Sequence, residues 1–253
     1  MTGVAGSILE TGLAGGHLTA GGDNTSTTFA GVVQGAGGIT KAGTGVLTLT
    51  GNNTNTGRTT VQAGKLVLTT PAHNQVLTLG GADVQGGRLV LDYNGGSSPG
   101  SSVKSILTTG YGQTPKFSSG QIITSNPAAT DKGLGWVDNT TAKQVSVAYT
   151  YYGDANLDGQ VDVTDLGALA TNWQTSGPWA SGDFNYDGFV DVTDLGQLAT
   201  NWQKGVGSPL GPGSLDAALQ SVGLGGTSVP EPASLGLVGL GLIGIASRRR
   251  RRA

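Results

Sequence analysis

Twenty-one residues occur twice in this chain. GDANLDGQVDVTDLGALATNW, Gly153 to Trp173, returns as GDFNYDGFVDVTDLGQLATNW, Gly182 to Trp202, with 17 positions identical at a constant offset of 29. In the first copy Asp154, Asn156, Asp158, Asp162 and Asp165 take positions 1, 3, 5, 9 and 12 of a loop, with Gly159 at position 6. Asp183, Asn185, Asp187, Asp191 and Asp194 repeat the pattern around Gly188. Calcium takes six to eight oxygens, and twelve residues spaced this way can wrap them around one ion. Asp replaces the usual Glu at position 12, and the backbone carbonyls of Gln160 and Phe189, at position 7, are expected to complete each set. Two carboxylates about 5 Å apart repel by roughly 3 kcal/mol at an effective dielectric near 20. A folded loop with four of them therefore calls for a cation, and two Ca2+ ions are expected.

After each loop an apolar stripe appears at helical spacing: Leu166, Leu169, Ala170 and Trp173, then Leu195, Leu198, Ala199 and Trp202. Two short helices burying these stripes against each other would make a module of some 50 residues, 153–203. At that size, without a disulfide, metal would act as a staple. The tryptophans are expected in the core rather than as sugar platforms. The two halves together resemble a type I dockerin, a small α-helical domain with two EF-hand-type calcium loops. That resemblance implies docking to a cohesin-type partner through the late-loop pairs Val163–Thr164 and Val192–Thr193. Because the pairs are identical, it also implies two docking orientations.

Charge is distributed in keeping with cation sites. Eight of the 16 acidic residues lie between Asp154 and Asp194, a stretch with no Lys or Arg. Five of the 14 basic residues form the run Arg248 to Arg252. No basic face remains for nucleic acid. Cysteine is absent, which excludes disulfides and thiolate metal sites.

The first half, 1–152, is rich in glycine, and its leucines alternate. VLTLTG at Val46–Gly51 returns as VLTLGG at Val76–Gly81, and VQAGKLVL at Val61–Leu68 as VQGGRLVL at Val84–Leu91. Read as one unit written twice, residues 37–91 differ by a seven-residue excursion within NNTNTGRTT. Period-two leucines mark strands with one buried face. From Leu47 to Leu66 is 19 residues and from Leu66 to Leu89 is 23, which suits successive coils of a solenoid. The asparagines of NNTNTG are expected on turns, bonded to their own backbone. Gly37 to Leu68 resembles the autotransporter-associated β-strand repeat of bacterial surface proteins, which implies a right-handed β-helix outside the cell.

Farther on, SVKSILTT, QIITS and LGWVD read as short strands. QVSVAYTYY, 144–152, reads as the last strand, with Val145, Val147, Tyr149 and Tyr151 on one face. Residues 204–228 read as a linker containing a helical turn capped by Ser214. The end, 229–253, places Val229, Pro230, Glu231 and Pro232 before 14 apolar residues, Ala233 to Ala246, and the arginine run. As a helix that segment is about 21 Å long, against a hydrocarbon core of about 30 Å. The order resembles a PEP-CTERM sorting signal, which implies transient membrane anchoring and removal by an exosortase-like protease. An exported protein is expected to begin with a basic, then apolar, leader. Here the first basic residue is Lys41, so the expectation is a start inside a longer protein.

No catalytic constellation stands out. Glu10, Asp23, Asp83, Asp92, Asp131 and Asp138 are scattered singly, His17 and His73 lack metal-ligand spacing, and Arg58 is the one such residue worth testing. The sequence therefore leads to a mainly β, non-catalytic protein of the bacterial surface or exterior. It would comprise a β-solenoid, a calcium-binding dockerin-like module and a sorting helix. Docking a cohesin-type partner is its expected role; membership of a polysaccharide-degrading complex, or a structural or adhesive role, is the alternative.

Overall fold

A computed structural model describes residues 2–73, 75–126, 130–211 and 213–225. The sorting residues Val229, Pro230, Glu231 and Pro232 and the apolar run behind them lie outside the described residues. In chain order the strands are β1 (Ile8–Glu10), β2 (His17–Ala20), β3 (Thr27–Phe29), β4 (Val32–Gln34), β5 (Gly38–Lys41), β6 (Val46–Leu49) and β7 (Thr59–Val61). They continue as β8 (Lys65–Thr69), β9 (Ala82–Val84), β10 (Arg88–Asp92), β11 (Ile122–Ile123), β12 (Lys132–Asn139) and β13 (Gln144–Tyr151).

Stacked parallel strands build a solenoid of about four turns. One face is β3, β6, β8 and β10; a second is β2, β5, β7, β9 and β11; β1 and β4 form a third. The leucine spacings are coil lengths: Leu47 lies opposite Leu66 and Leu66 opposite Leu89, while Leu49, Leu68 and Leu91 stack likewise. All six are buried to 1% exposure or less. Each side chain contributes about 1.5–3 kcal/mol by leaving water, which is what holds coil on coil. Glycine marks the tight corners. A Cβ on Gly51 would sit 1.9 Å from the Gly31 carbonyl oxygen, and one on Gly57 2.3 Å from the Gly37 carbonyl carbon.

Two expectations for this region fail. VLTLGG is not a strand: Gln75–Leu79 is a π-helical turn, and Leu79 is 44% exposed. Val46–Leu49 stacks directly on Lys65–Thr69, so the second VLTL falls on the third face, where the preceding coil places NNTNTG. Repetition of letters here is not repetition of place.

Two asparagines of that excursion, moreover, do more than bond their own turn. Asn53 and Asn55 are buried, and they bond across coils. The Val33 N–H donates to Asn53 Oδ1 at 2.9 Å, and Asn55 Nδ2 donates to the Gly37 and Gly57 carbonyls at 3.4 Å. Chain too irregular to form a strand leaves interior backbone groups that a side-chain amide can satisfy. Asn53→Ala should cost about 1–3 kcal/mol in urea unfolding, the penalty for stranding the Val33 N–H. A loss below experimental error would contradict this role.

At its C-terminal end the solenoid changes character. SVKSILTT is not a strand but lies within helix α1 (Gly100–Tyr111), where Val103 and Leu107, one turn apart, are buried. QIITS contains β11 and LGWVD lies in β12. β13 pairs antiparallel with β10, placing Val147 opposite Leu89 and Val145 opposite Leu91, and β12 pairs antiparallel outside it. Val145 and Val147 are buried, but Tyr149 and Tyr151 of the same face are half-buried, while Ala148 and Thr150 of the other face are covered. Coverage changes sides along β13 because the duplicated segment packs beside its last residues.

Candidate metal centre

The two loops lead into α2 (Val163–Thr171) and α3 (Val192–Asn201). Each helix opens with a capping box. Asp162 and Asp191 accept the Thr164 and Thr193 N–H at 2.7 Å, and Asp165 and Asp194 reach back to the N–H of Asp162 at 2.9 Å and of Asp191 at 3.0 Å. The other oxygens of Asp165 and Asp194 accept the N–H of Ala155 and Phe184, at 2.9 and 2.8 Å. At position 1, Asp154 and Asp183 accept the N–H of Gly159 and Gly188, at 2.9 and 3.0 Å. Those glycines have φ of 87° and 90°, the left-handed region that lets the loop double back. Asn156 and Asn185 each accept the N–H of the position-5 aspartate at 2.8 Å; the N–H of Gln160 and Phe189 donates in turn to Asp158 and Asp187.

Four carboxylates, Asp154, Asp165, Asp183 and Asp194, are buried to 1% exposure or less. Asp158 and Asp187 are exposed, and Asp162 and Asp191 half-buried. Among the described residues the ion pair is Lys204–Asp131 at 2.6 Å, and no Lys or Arg is paired with a loop carboxylate. Burial, then repulsion from Asp154, pushes the Asp165 carboxyl up to about 7. Burial chiefly raises Asp183 and Asp194 to about 6, and Asp154 also moves up.

The donor set fits a hard cation. Every side chain offered is a carboxylate or an amide oxygen, and Asp183 Oδ1 is buried with no hydrogen-bond partner. Among the described residues no three His, Cys, Asp or Glu side chains by themselves form a metal-binding group. A calcium shell of this type also draws on Asn156, Asn185 and the carbonyls of Gln160 and Phe189.

A pH dependence follows for the metal-free protein. Folded Asp165, Asp183 and Asp194 hold protons at pH values where the unfolded chain, with carboxyls near 3.8, has released them. The folded state binds more protons in that window, so stability falls as pH rises from about 4 to about 7. Thermal melts in EDTA should show the midpoint dropping across this range; a rising midpoint would contradict the assignment.

The segment has an internal twofold. Val161 exchanges backbone bonds with Gln203 and Lys204, and Val190 with Gln174 and Thr175. Leu198 of the second half lies over Gly153 of the first, and Leu169 of the first over Gly182 of the second. Leu166, Leu169, Leu195 and Leu198 are buried, and Trp173 and Trp202 pack against them half-buried, at the edge of the core rather than inside it. Trp202 Nε1 donates to Ser214 Oγ at 2.9 Å. Ser214 is therefore not the cap of α4 (Ser214–Ser221); Gly213, at φ 82°, precedes that helix.

The sequence held little sign of how the loops are seated on the solenoid. Leu157 and Tyr186, at position 4 of each loop, are buried with φ near 62° and 63°. Tyr186 Oη donates to the Leu134 carbonyl, Arg88 to the Leu157 carbonyl and Thr150 Oγ1 to Asp154 Oδ2. Trp179, fully buried between the copies, donates to the Asp154 carbonyl at 2.7 Å and packs on Tyr152, Phe184 and Tyr186. The helices and the β12–β13 hairpin thus share one core. Metal is not what alone holds the segment together.

The late-loop residues Val163 and Val192 are 54% and 46% exposed, and Thr164 and Thr193 are exposed beside them. Arg58 is a clamp, donating to the carbonyls of Ala82, Gly120 and Gln121. His73 is buried, its Nε2 2.9 Å from the Leu68 carbonyl, and His17 is exposed on β2. Asp138 accepts from Tyr93 and Ser98, and Asp83 from Ser125 and Gln85. Among the described residues no helix is long and apolar enough to cross a membrane.

Comparison with known proteins finds two family matches. Residues 39–68 match the passenger-associated-transport-repeat, and residues 228–252 the PEP-CTERM protein-sorting motif. The chain is 40% identical over 89 residues to "Adhesin BmaC autotransporter" of Brucella suis biovar 1 (strain 1330), a stretch covering 31% of this chain and 2% of that protein. No solved structure matches.

Proposed function

We propose that this chain is an adhesive, non-catalytic part of a bacterial surface or extracellular protein, its solenoid closed by a cap that binds two calcium ions. The observation carrying the adhesive reading is the stacked coil register of Leu47 on Leu66, in the region that matches a passenger repeat, continued by Leu89 beyond it, beside likeness to an adhesin. The sorting match supports delivery to the surface and removal of the tail by an exosortase-like protease. Calcium at the loops is supported by four buried carboxylates that, among the described residues, stand outside any ion pair, and by the orphan oxygen of Asp183.

Docking to a cohesin-type domain is the lesser reading. Its support is the exposure of Val163–Thr164 and Val192–Thr193; the comparisons supply no dockerin relationship. Against a freely presented docking module stands the core that the segment shares with the solenoid. Beads coated with the chain in calcium should be retained under flow on cell or matrix surfaces, well above beads coated with an inert protein. Retention no better than the inert coat would sink the adhesive reading, and capture of one defined protein partner through Val163 and Val192 would favour docking.

A further inference from the structure

The two loops are written almost alike but held differently. Four residues before position 1 the first copy has Thr150 and the second Trp179, and both side chains reach the same residue, Asp154. Thr150, buried near the end of β13, donates through Oγ1 to Asp154 Oδ2, the oxygen that also accepts the Gly159 N–H. Trp179 donates to the Asp154 backbone carbonyl, and Arg88, from β10, to the Leu157 carbonyl of the same loop. Asp154 is thus fixed from outside its loop at side chain and backbone. Its Oδ2 is doubly held, and Oδ1 meets the loop through the Asp158 N–H at 3.1 Å. Asp183 has no such support. Its Oδ2 accepts the Gly188 N–H, its Oδ1 has no partner, and among the described residues no side chain donates to it. The second loop's own tie to the solenoid, Tyr186 Oη to the Leu134 carbonyl, bypasses the carboxylate.

We propose that Thr150 is a positioning residue of the first calcium site, and that through it calcium in that site, rather than the second, steadies the β12–β13 hairpin that closes the solenoid. A donor on the outer oxygen of a ligand carboxylate fixes which oxygen faces the ion, so less side-chain freedom is lost on binding. Linkage is reciprocal: whatever affinity the hairpin lends the site, calcium returns to the hairpin as stability. The hydroxyl comes from β13, which pairs with β10 and with β12, so the effect is delivered to the strands over the end of the solenoid. This inference rests on the calcium reading of the loops and divides the two ions by what they do.

The test removes one site at a time from the full chain: Asp183→Asn leaves the first site and Asp154→Asn the second. Calcium affinity is read by isothermal titration. Adding Thr150→Val to the Asp183→Asn protein should weaken it about ten- to hundredfold, and Thr150→Ser, which keeps the hydroxyl, should restore it. In the Asp154→Asn protein Thr150→Val should leave affinity unchanged. A second measurement keeps Thr150 in place: calcium should slow amide hydrogen exchange along β13 more in the Asp183→Asn protein than in the Asp154→Asn protein. Equal loss of affinity at both sites, loss at neither, or equal slowing of β13 in the two proteins would each overturn the proposal. If the parent chain still takes up calcium when any of these is found, the calcium reading stands and only the role of Thr150 falls. A parent chain that takes up no calcium overturns both.

Discussion

Returning calcium to EDTA-treated protein is expected to stabilise the fold by about 5 kcal/mol when free calcium is a hundredfold above the dissociation constant of two equal sites. For a chain of this size that is a rise in thermal midpoint of roughly 10–20 °C. The sign comes from the four buried aspartates: in the empty loops, burial and mutual repulsion raise them, and a divalent ion removes both costs. Magnesium should not substitute, since it demands near-octahedral geometry and gives up water reluctantly. Asp183→Asn separates the sites. Its oxygen can still accept the Gly188 N–H, so the fold without metal should be undiminished. The calcium response should fall to about half, the share of one site. A midpoint indifferent to calcium would remove the metal from this account.

Leu66→Ala is expected to cost about 2–5 kcal/mol in urea unfolding. Leu66 is fully buried, with Leu47 on one side and Leu89 on the other, so truncation opens a cavity that neither coil can close without losing its own strand pairing. Leu79→Ala, in the second VLTL, is the contrast: at 44% exposure it should stay within about 0.5 kcal/mol. If the two VLTL segments occupied equivalent places, Leu79 would cost as much as Leu49. A large loss at Leu79 would therefore contradict the stacking register.

The same pair shows how far the letters reach. Leu47, Leu66 and Leu89 were readable as a stack because burial on one strand face imposes a period of two, and coil length then fixes the offset. VLTLGG was misread because its letters carry no record of which face of the solenoid they reach. α1 was misread as strand although Val103, Ile106, Leu107 and Tyr111 stand at helical spacing, because the serines and threonines among them mask the period. Asn53 and Asn55 look like turn residues, and the neighbouring coil gives their amides a use the letters do not show.

What the sequence determined by itself was local: two twelve-residue loops with glycine at position 6, a capping box opening each helix, and coils held in register by their leucines. Each depends on residues a fixed short distance apart, or on one repeated spacing, so the chain alone carries it. The tertiary structure alone decided that the loops are seated on the solenoid through Leu157, Trp179 and Tyr186. Those contacts join residues far apart in the chain that no period relates, and they exist only once β12 and β13 have brought a second apolar face to be covered.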